Sequence, residues 1–340
     1  MKEFTVSKNE QHQRFSKYLD RLLKEAGSGF IYKMLRKKNI TLNDLRADGT
    51  ELLVAGDVVK LYLSDETFDK FSGNAAKISE VPLRFSEHPS EKRSIIFENP
   101  ELLLIYKPAG VLSQKDRPES DSLNEQVLQY LADKGEVTRE SLLSFKPGIC
   151  NRLDRNTSGL VCFAKTLPAM QLISEALKER TLKKYYLAVV AGKTGERFSH
   201  SGWLIKDEAT NTVRVLSGEI PGAAPIETRF RTLVSNSRLS VLRIELVTGK
   251  SHQIRSVLSH LGHPVLGDPK YSGDNAELLR ELKLQYGLRF QLLLCYQYHF
   301  PMLPEPLLGL SDRDFYSPVP KSFLTVLKEE FPDFRIPRGL

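Results

Sequence analysis

Residues Asn151 to Leu160 read Asn-Arg-Leu-Asp-Arg-Asn-Thr-Ser-Gly-Leu and set one carboxylate, Asp154, between Arg152 and Arg155, just before an apolar run. Nearby cations favour the ionised form of a carboxyl group, and an ionised carboxylate is what nucleophilic attack or proton abstraction by Asp requires. The structural alternative is an Asp held in a polar turn by its neighbours, because ion pairs that serve only structure also surround carboxylates with cations.

Further segments weigh on that choice. Tyr106-Lys107-Pro108-Ala109-Gly110 precedes the Asp, and Lys184-Tyr185-Tyr186-Leu187-Ala188-Val189-Val190-Ala191-Gly192 follows it. Then Thr248-Gly249-Lys250-Ser251-His252-Gln253-Ile254-Arg255 leads into Leu261-Gly262-His263-Pro264-Val265-Leu266-Gly267-Asp268 and Tyr271. In this order and at these spacings, across residues 95–300, the chain resembles the RluA-type pseudouridine synthases, which convert uridine in RNA to its C-glycoside isomer. A lone Arg-Leu-Asp would carry no such weight.

The resemblance implies a reaction and a set of roles. The bond from the sugar's anomeric carbon to nitrogen 1 of uracil breaks, the base turns, and carbon 5 is joined in its place. No redox step or energy source is needed, so neither a cofactor nor a metal is expected. One carboxylate serves, by attacking the sugar or by abstracting a ribose proton to give a glycal, and the sequence does not choose between them. The resemblance assigns that role to Asp154. It makes Tyr186 the ring that stacks on the base and takes the carbon 5 proton, with Tyr185 the adjacent competitor on the opposite strand face. Arg255 matches the arginine that pairs with the catalytic Asp. The target base must leave its stack to reach Asp154, which costs a few kcal/mol, and Arg152 and Arg155 are candidates to support the flipped nucleotide.

Four positions depart from the family pattern. Asn151 stands where His is usual, and Lys250 stands for Arg, keeping a point charge for phosphate but losing the bidentate fork. Leu294 and Cys295 replace the His and Ala of a late strand within Leu293 to Phe300.

Rival chemistries fare worse. Gly249-Lys250-Ser251 ends like a phosphate-binding loop, but that motif needs glycine at 244, where the chain has Ile244. His252, His260 and His263 with Asp268 lack His-Glu-x-x-His spacing and run into Gly-His-Pro turn chemistry. The stronger rival is a non-catalytic RNA-binding or ribosome-assembly protein, against which the intact Asp154, Tyr186 and Arg255 count.

The elements that must position these groups are α+β in class. From Ile95 onward, short strands alternate with amphipathic helices: strands over 94–97, 102–106, 161–164, 186–190, 228–234 and 240–247, helices over 122–132 and 168–180. No helix follows every strand, so a mixed or antiparallel sheet with helices packed on it is expected for the catalytic domain, residues 95–330. Residues 64–94 turn polar and read as a linker. Residues 12–63 form a small unit of their own. Phe15, Leu19, Leu22 and Leu23 recur at helical spacing, Gly27 closes that helix, and Ser28 caps a second one carrying Ile31, Met34 and Leu35. Ile40 and Leu42 mark a short strand, and residues 52–54 and 58–61 a hairpin about Gly56-Asp57. This layout resembles the S-four type RNA-binding domain. Its basic cluster, Lys33, Arg36, Lys37 and Lys38, suits either a solvated helix end or phosphate contact, which positions an enzyme without reading sequence.

Composition fits this reading. The chain has 340 residues, 41% of them hydrophobic, and a formal charge of +7, with a pI near 9.1, which favours an anionic partner. Its three cysteines, Cys150, Cys162 and Cys295, are too few and too scattered to staple a chain this long. The first thirty residues carry no apolar signal core, and no stretch approaches the ~18 apolar residues of a membrane span. A cytoplasmic monomer with no membrane partner is expected. The S-four-like segment makes large-subunit (23S) ribosomal RNA the expected substrate by family analogy, with transfer RNA the alternative.

Overall fold

The structure is a computed structural model that describes residues 1–7, 10–72, 84–86, 95–139, 141–208, 210 and 212–337. Most of the expected linker, residues 73–83 and 87–94, lies outside the described residues, as does Ser94 of the first expected strand.

The N-terminal unit runs β1 (Lys2–Thr5), α1 (Phe15–Leu22), α2 (Ser28–Arg36), β2 (Ile40–Leu42), β3 (Leu45–Arg46), β4 (Val58–Leu61) and α3 (Asp65–Ser72). Its strands form an antiparallel sheet in the order β1-β4-β2-β3. Phe15, Leu19 and Leu22 of α1 and Ile31 and Leu35 of α2 bury their side chains with Val59 and Leu61 in one core, as the helical spacing of these residues predicts.

Several local expectations need correction. α1 ends at Leu23, whose N–H donates to the Leu19 carbonyl, and Gly27 is the extended cap residue of α2 rather than the end of α1. Ser28 is the first helical residue and caps nothing. The hairpin about Gly56-Asp57 does not form: Leu52 makes only an isolated bridge to Arg14, while β4 pairs with β1 and β2. Alternation within 58–61 identifies a strand but not its partner, and one partner lies before residue 12. Phe68 of α3 joins the same core, so this unit draws on residues either side of 12–63, and the start of the expected linker is helical.

The larger sheet is built from β5 (Ile95–Glu98), β6 (Leu102–Lys107), β7 (Gly148–Ile149), β8 (Ser158–Ala164), β9 (Lys183–Ala191), β10 (Arg197–Asp207), β11 (Thr212–Leu216), β12 (Ala224–Ser235), β13 (Leu239–Leu246), β14 (Leu293–His299) and β15 (Asp314–Tyr316). The order is β11-β10-β12-β13-β9-β14-β8-β6-β5, with β7 beside β8 and β15 beside β14. Among the described residues β14 runs parallel to β8 and the other pairs are antiparallel, so the sheet is mixed, as expected. Helices α4 (Leu123–Asp133), α5 (Ser141–Ser144), α6 (Leu167–Lys178), α7 (Gln253–His260), α8 (Ala276–Gln285) and α9 (Lys321–Glu330) complete the chain.

Strand alternation makes two cores. From β9, Tyr186, Ala188 and Val190 face a core shared with Val127 and Leu128 of α4, Ile173 of α6 and Val257 of α7. Leu187, Val189 and Ala191 face the other, with Leu282 of α8 and Phe323 and Val326 of α9. The helices thus cover both faces of the strand that carries Tyr186. Helix starts follow the sequence: Ser122 Oγ accepts from the Glu125 N–H at 3.4 Å, and Thr166 Oγ1 from the Ala169 N–H at 3.4 Å.

Gly159 permits the parallel contact. Its φ is +125°, and a Cβ there would lie 2.3 Å from the Cys295 carbonyl oxygen, so β8 and β14 meet only because no side chain intervenes.

Candidate active site

Asp154 lies in the loop joining β7 to β8, and the residues beside it are held by their backbones. Ser113 Oγ donates to the Leu153 carbonyl at 2.7 Å and accepts from the Leu153 N–H at 3.0 Å. The Arg155 carbonyl accepts from the Gly110 N–H at 2.8 Å and from Lys107 Nζ at 3.0 Å. Lys107, fully buried at the end of β6, also donates to the carbonyls of Pro108 at 3.1 Å and Val111 at 2.7 Å. Burial pulls its amine down to about 7, against the opposing pull of Asp154, while three carbonyl acceptors call for the three donors of an ammonium. Asn151 has a role of its own: its Oδ1 accepts from the Cys162 N–H at 3.0 Å, tying the loop to β8. Thr157 at the far end accepts from Gln291 Nε2 at 2.8 Å.

From this fixed loop Asp154 presents a carboxylate that is a quarter exposed. Arg255 Nη1 donates to it at 2.9 Å. The other edge of the same guanidinium is spent on Asp268, from Nε at 2.7 Å and Nη2 at 2.8 Å, and the Asp268 side chain is completely buried. Burial opposes the Arg255 charge, but its bonds to Asp268 and Asp154 overrule that and raise its pKa. A cation fixed at three points in a closed setting can hold Asp154 in one orientation and neutralise charge beside it.

The elements behind Arg255 are equally fixed. Gln253, buried at the start of α7, accepts on Oε1 from the Lys250 N–H and from Thr248 Oγ1, both at 3.0 Å. Its Nε2 donates to the Glu227 carbonyl at 3.1 Å and to Thr228 Oγ1 at 2.9 Å, so the helix start is moored to β12. The ring of Tyr271 lies 5.0 Å from the Arg255 guanidinium carbon.

Tyr186 faces the core that abuts this loop and pairs in register with Cys295 on β14 and Ile244 on β13. Burial raises its phenol pKa far above the ordinary value, and Cys295 and Asp154 add to that rise. Tyr185 points the other way and lies under the Arg243 guanidinium at 3.7 Å. Strand alternation therefore brings Tyr186, not Tyr185, to the Asp154 side. Cys295 backs Tyr186, its thiol pushed up to about 12 by burial, whereas Leu294 is buried in the opposite core.

Arg152, Arg155 and Lys250 are exposed. Arg155 Nε donates to the Gly110 carbonyl at 3.1 Å, beside a cavity of about 500 Å³ that Gly110, Leu112, Asp116, Arg117, Asp121 and Arg155 help to line. Lys33, Arg36, Lys37 and Lys38 are exposed at the end of α2, on the N-terminal unit. The imagined metal set disperses: His263 Nδ1 lies 2.9 Å from the Ala191 carbonyl oxygen, the His260 ring packs edge-on against His200, and Asp268 serves Arg255.

Lys107, Gln253 and Asp268 fall within the sequence motifs, but the sequence alone gives them no part in building the site. A lysine closing the apolar run Leu102 to Tyr106 is the available signal for Lys107; nothing local marks Asp268 as the partner of a residue thirteen positions earlier.

Comparison with known proteins bears on this geometry. The sequence model of the family described as RNA pseudouridylate synthase matches residues 101–260, a span that holds Lys107, Asp154, Tyr186 and Arg255. The chain is 29% identical over 333 residues to an uncharacterized RNA pseudouridine synthase of Mycoplasma pneumoniae, covering 96% of this chain and 98% of that one. It is 28% identical over 336 residues to the ribosomal large subunit pseudouridine synthase C of Pasteurella multocida, covering 97% and 95%. Among solved structures, human RNA pseudouridylate synthase domain containing 4 shares the fold at a TM-score of 0.54 and 21% identity, over 69% of this chain and 92% of that chain. The motifs and the mixed sheet agree with these matches, and residues 101–260 match the family described as RNA pseudouridylate synthase.

Proposed function

We propose that this enzyme isomerises uridine in large-subunit (23S) ribosomal RNA, with the Asp154 carboxylate as the group that acts on the sugar and with no cofactor. The observation that carries the reading is the pairing of Asp154 with an arginine itself clamped by the buried Asp268. A surface ion pair needs no such second carboxylate, whereas a reacting carboxylate gains from a partner that cannot move. The ribosomal substrate is supported by the name of the Pasteurella relative, and transfer RNA is the alternative.

In this reading the uracil leaves its stack and lies against Tyr186. Asp154 engages the ribose, the bond from the anomeric carbon to nitrogen 1 breaks, and the freed uracil rotates. Carbon 5 then joins the anomeric carbon, and its proton leaves through Tyr186 while nitrogen 1 regains one, so the product is an isomer of the substrate. Arg152, Arg155 and Lys250 rim the cleft as phosphate contacts, and the S-four-like N-terminal unit adds Lys33, Arg36, Lys37 and Lys38 to the backbone footprint. The domain division, a monomeric state and a cytoplasmic location belong to the same proposal; among the described residues no helix is long and apolar enough to cross a membrane.

The test is product formation by purified wild type and Asp154→Asn on large-subunit ribosomal RNA transcripts, with RNA binding measured alongside. The expected result is product from wild type alone and similar binding by both. Full turnover by Asp154→Asn removes the carboxylate from the mechanism, and a wild type that binds RNA without making product in any transcript favours the RNA-binding alternative.

A further inference from the structure

His252 stands at the junction between the turn after β13 and helix α7 with φ of 55°, the left-handed region that a residue with a side chain occupies at a cost. The imidazole lies beside the candidate carboxylate: Nε2 is 3.9 Å from an Asp154 oxygen, and Nδ1 is 2.9 Å from Tyr271 Oη. The same Oη accepts from the Val213 N–H of β11 at 2.9 Å. With an amide proton already directed at that oxygen, the phenol's own proton is free to go to Nδ1. The ring proton of a neutral imidazole then sits on Nε2. Burial favours that neutral form, against the pull of Asp154.

The 3.9 Å separation is too long for a hydrogen bond between Nε2 and Asp154. Among the described residues no acceptor lies within bonding distance of Nε2, so the relay Val213, Tyr271, His252 ends in an unspent donor beside the carboxylate. Whether Asp154 attacks the anomeric carbon or takes a ribose proton, the edge of the sugar between carbons 1 and 2 must come against it. The substituent on that edge is the 2′-hydroxyl, the group that distinguishes RNA from DNA.

We propose that His252 Nε2–H donates a hydrogen bond to the 2′-hydroxyl oxygen of the target uridine, and that Tyr271 positions His252 by fixing the tautomer. This rests on the reading of Asp154 as the carboxylate that meets the sugar. It makes the cleft selective for ribose at the reacting nucleotide itself, beyond any preference for RNA shape.

The experiment compares wild type, His252→Ala and Tyr271→Phe on two versions of one large-subunit ribosomal RNA fragment, carrying uridine or 2′-deoxyuridine at the target. Thermal denaturation checks that each variant is folded. The expected result is a loss of about tenfold in kcat/KM for His252→Ala on the uridine fragment, the size of one neutral hydrogen bond, with less than a twofold change on the deoxyuridine fragment. Tyr271→Phe, which keeps the ring and loses only Oη, shows a smaller loss confined to the uridine fragment. Equal losses on both fragments, or none on either, overturn the inference. Product from wild type with both variants indifferent to the sugar refutes this contact alone, whereas no product from wild type refutes the parent reading and this inference with it.

Discussion

Arg255 donates from Nη1 to Asp154 at 2.9 Å across 101 residues of sequence, and this contact joins the loop before β8 to helix α7. Its Nε and Nη2 donate to Asp268, so rotating the arginine to relax the contact would break those bonds as well.

Removing Arg255 should therefore hurt twice. Arg255→Ala leaves Asp268 buried and unpaired, which costs about 3 kcal/mol or more of stability, and frees Asp154 from its partner. Asp268→Asn keeps the shape but weakens the clamp, and is expected to lower kcat by about tenfold or more with RNA binding preserved. Denaturant unfolding and single-turnover kinetics check both. A stable, fully active Asp268→Asn enzyme would show that the clamp does not matter.

Tyr186 and Tyr185 should separate cleanly. Tyr186→Phe retains a ring for stacking but loses the hydroxyl proposed to take the carbon 5 proton, and product formation is expected to fall by about a hundredfold, within the range of lost general acid–base catalysis. Tyr185→Phe, on the opposite face under Arg243, should stay within twofold of wild type. The reverse order would mean that the strand presents its other face to the base.

Gly159→Ala should fail to give a stable enzyme. The new methyl group would meet backbone of Cys295 at 2.3 Å, and the φ of +125° is unsuited to alanine. The two effects together exceed about 3 kcal/mol, read as a large fall in unfolding midpoint. A variant with wild-type stability would contradict the close approach of β8 and β14.

Acid should weaken the fold through Glu98. Burial pushes its carboxyl up, but hydrogen bonds from Lys134, Lys165 and Tyr130 overrule that and hold it down at about 2. A depressed carboxyl contributes stability that is complete above the unfolded value of about 4.3 and is lost as pH falls towards 2. Wild type should lose about 2 kcal/mol more than Glu98→Gln between pH 5 and 2, measured by denaturant unfolding at each pH. Parallel curves would refute this.

The basic end of α2 should act on binding and not on chemistry. Replacing Arg36, Lys37 and Lys38 with alanine is expected to weaken RNA binding and to flatten its dependence on salt by about 0.7 to 0.9 for each phosphate no longer neutralised. Single-turnover rates at saturating enzyme should be unchanged. A salt slope identical to wild type would make the cluster a solvated helix end.

How much of this was legible in the sequence depended on distance along the chain. Local patterns placed a strand over 102–106 and helices over 122–132 and 168–180, close to β6, α4 and α6, because apolar periodicity acts over a few residues. They missed β10 and β11, whose residues are largely exposed or only half-buried and so carry little alternation, and the helices from α7 onward. They also misjudged the partner of β4, which a hairpin-like spacing could not reveal. In the site, the motifs named Asp154 and Arg255, which pair at 2.9 Å, and Tyr186, which its strand turns towards the core that holds Leu153. The supports under them, Lys107 beneath Arg155 and Asp268 behind Arg255, depend on contacts between distant segments, and no periodicity encodes those.

The most direct test of the central claim is a map of pseudouridine in total RNA from cells carrying the intact gene, a deletion, or Asp154→Asn, read by carbodiimide-stop sequencing. The account predicts that the same defined uridines of large-subunit ribosomal RNA lose their signal in the deletion and in Asp154→Asn alike. Retention of those sites by Asp154→Asn, with loss only in the deletion strain, would contradict it.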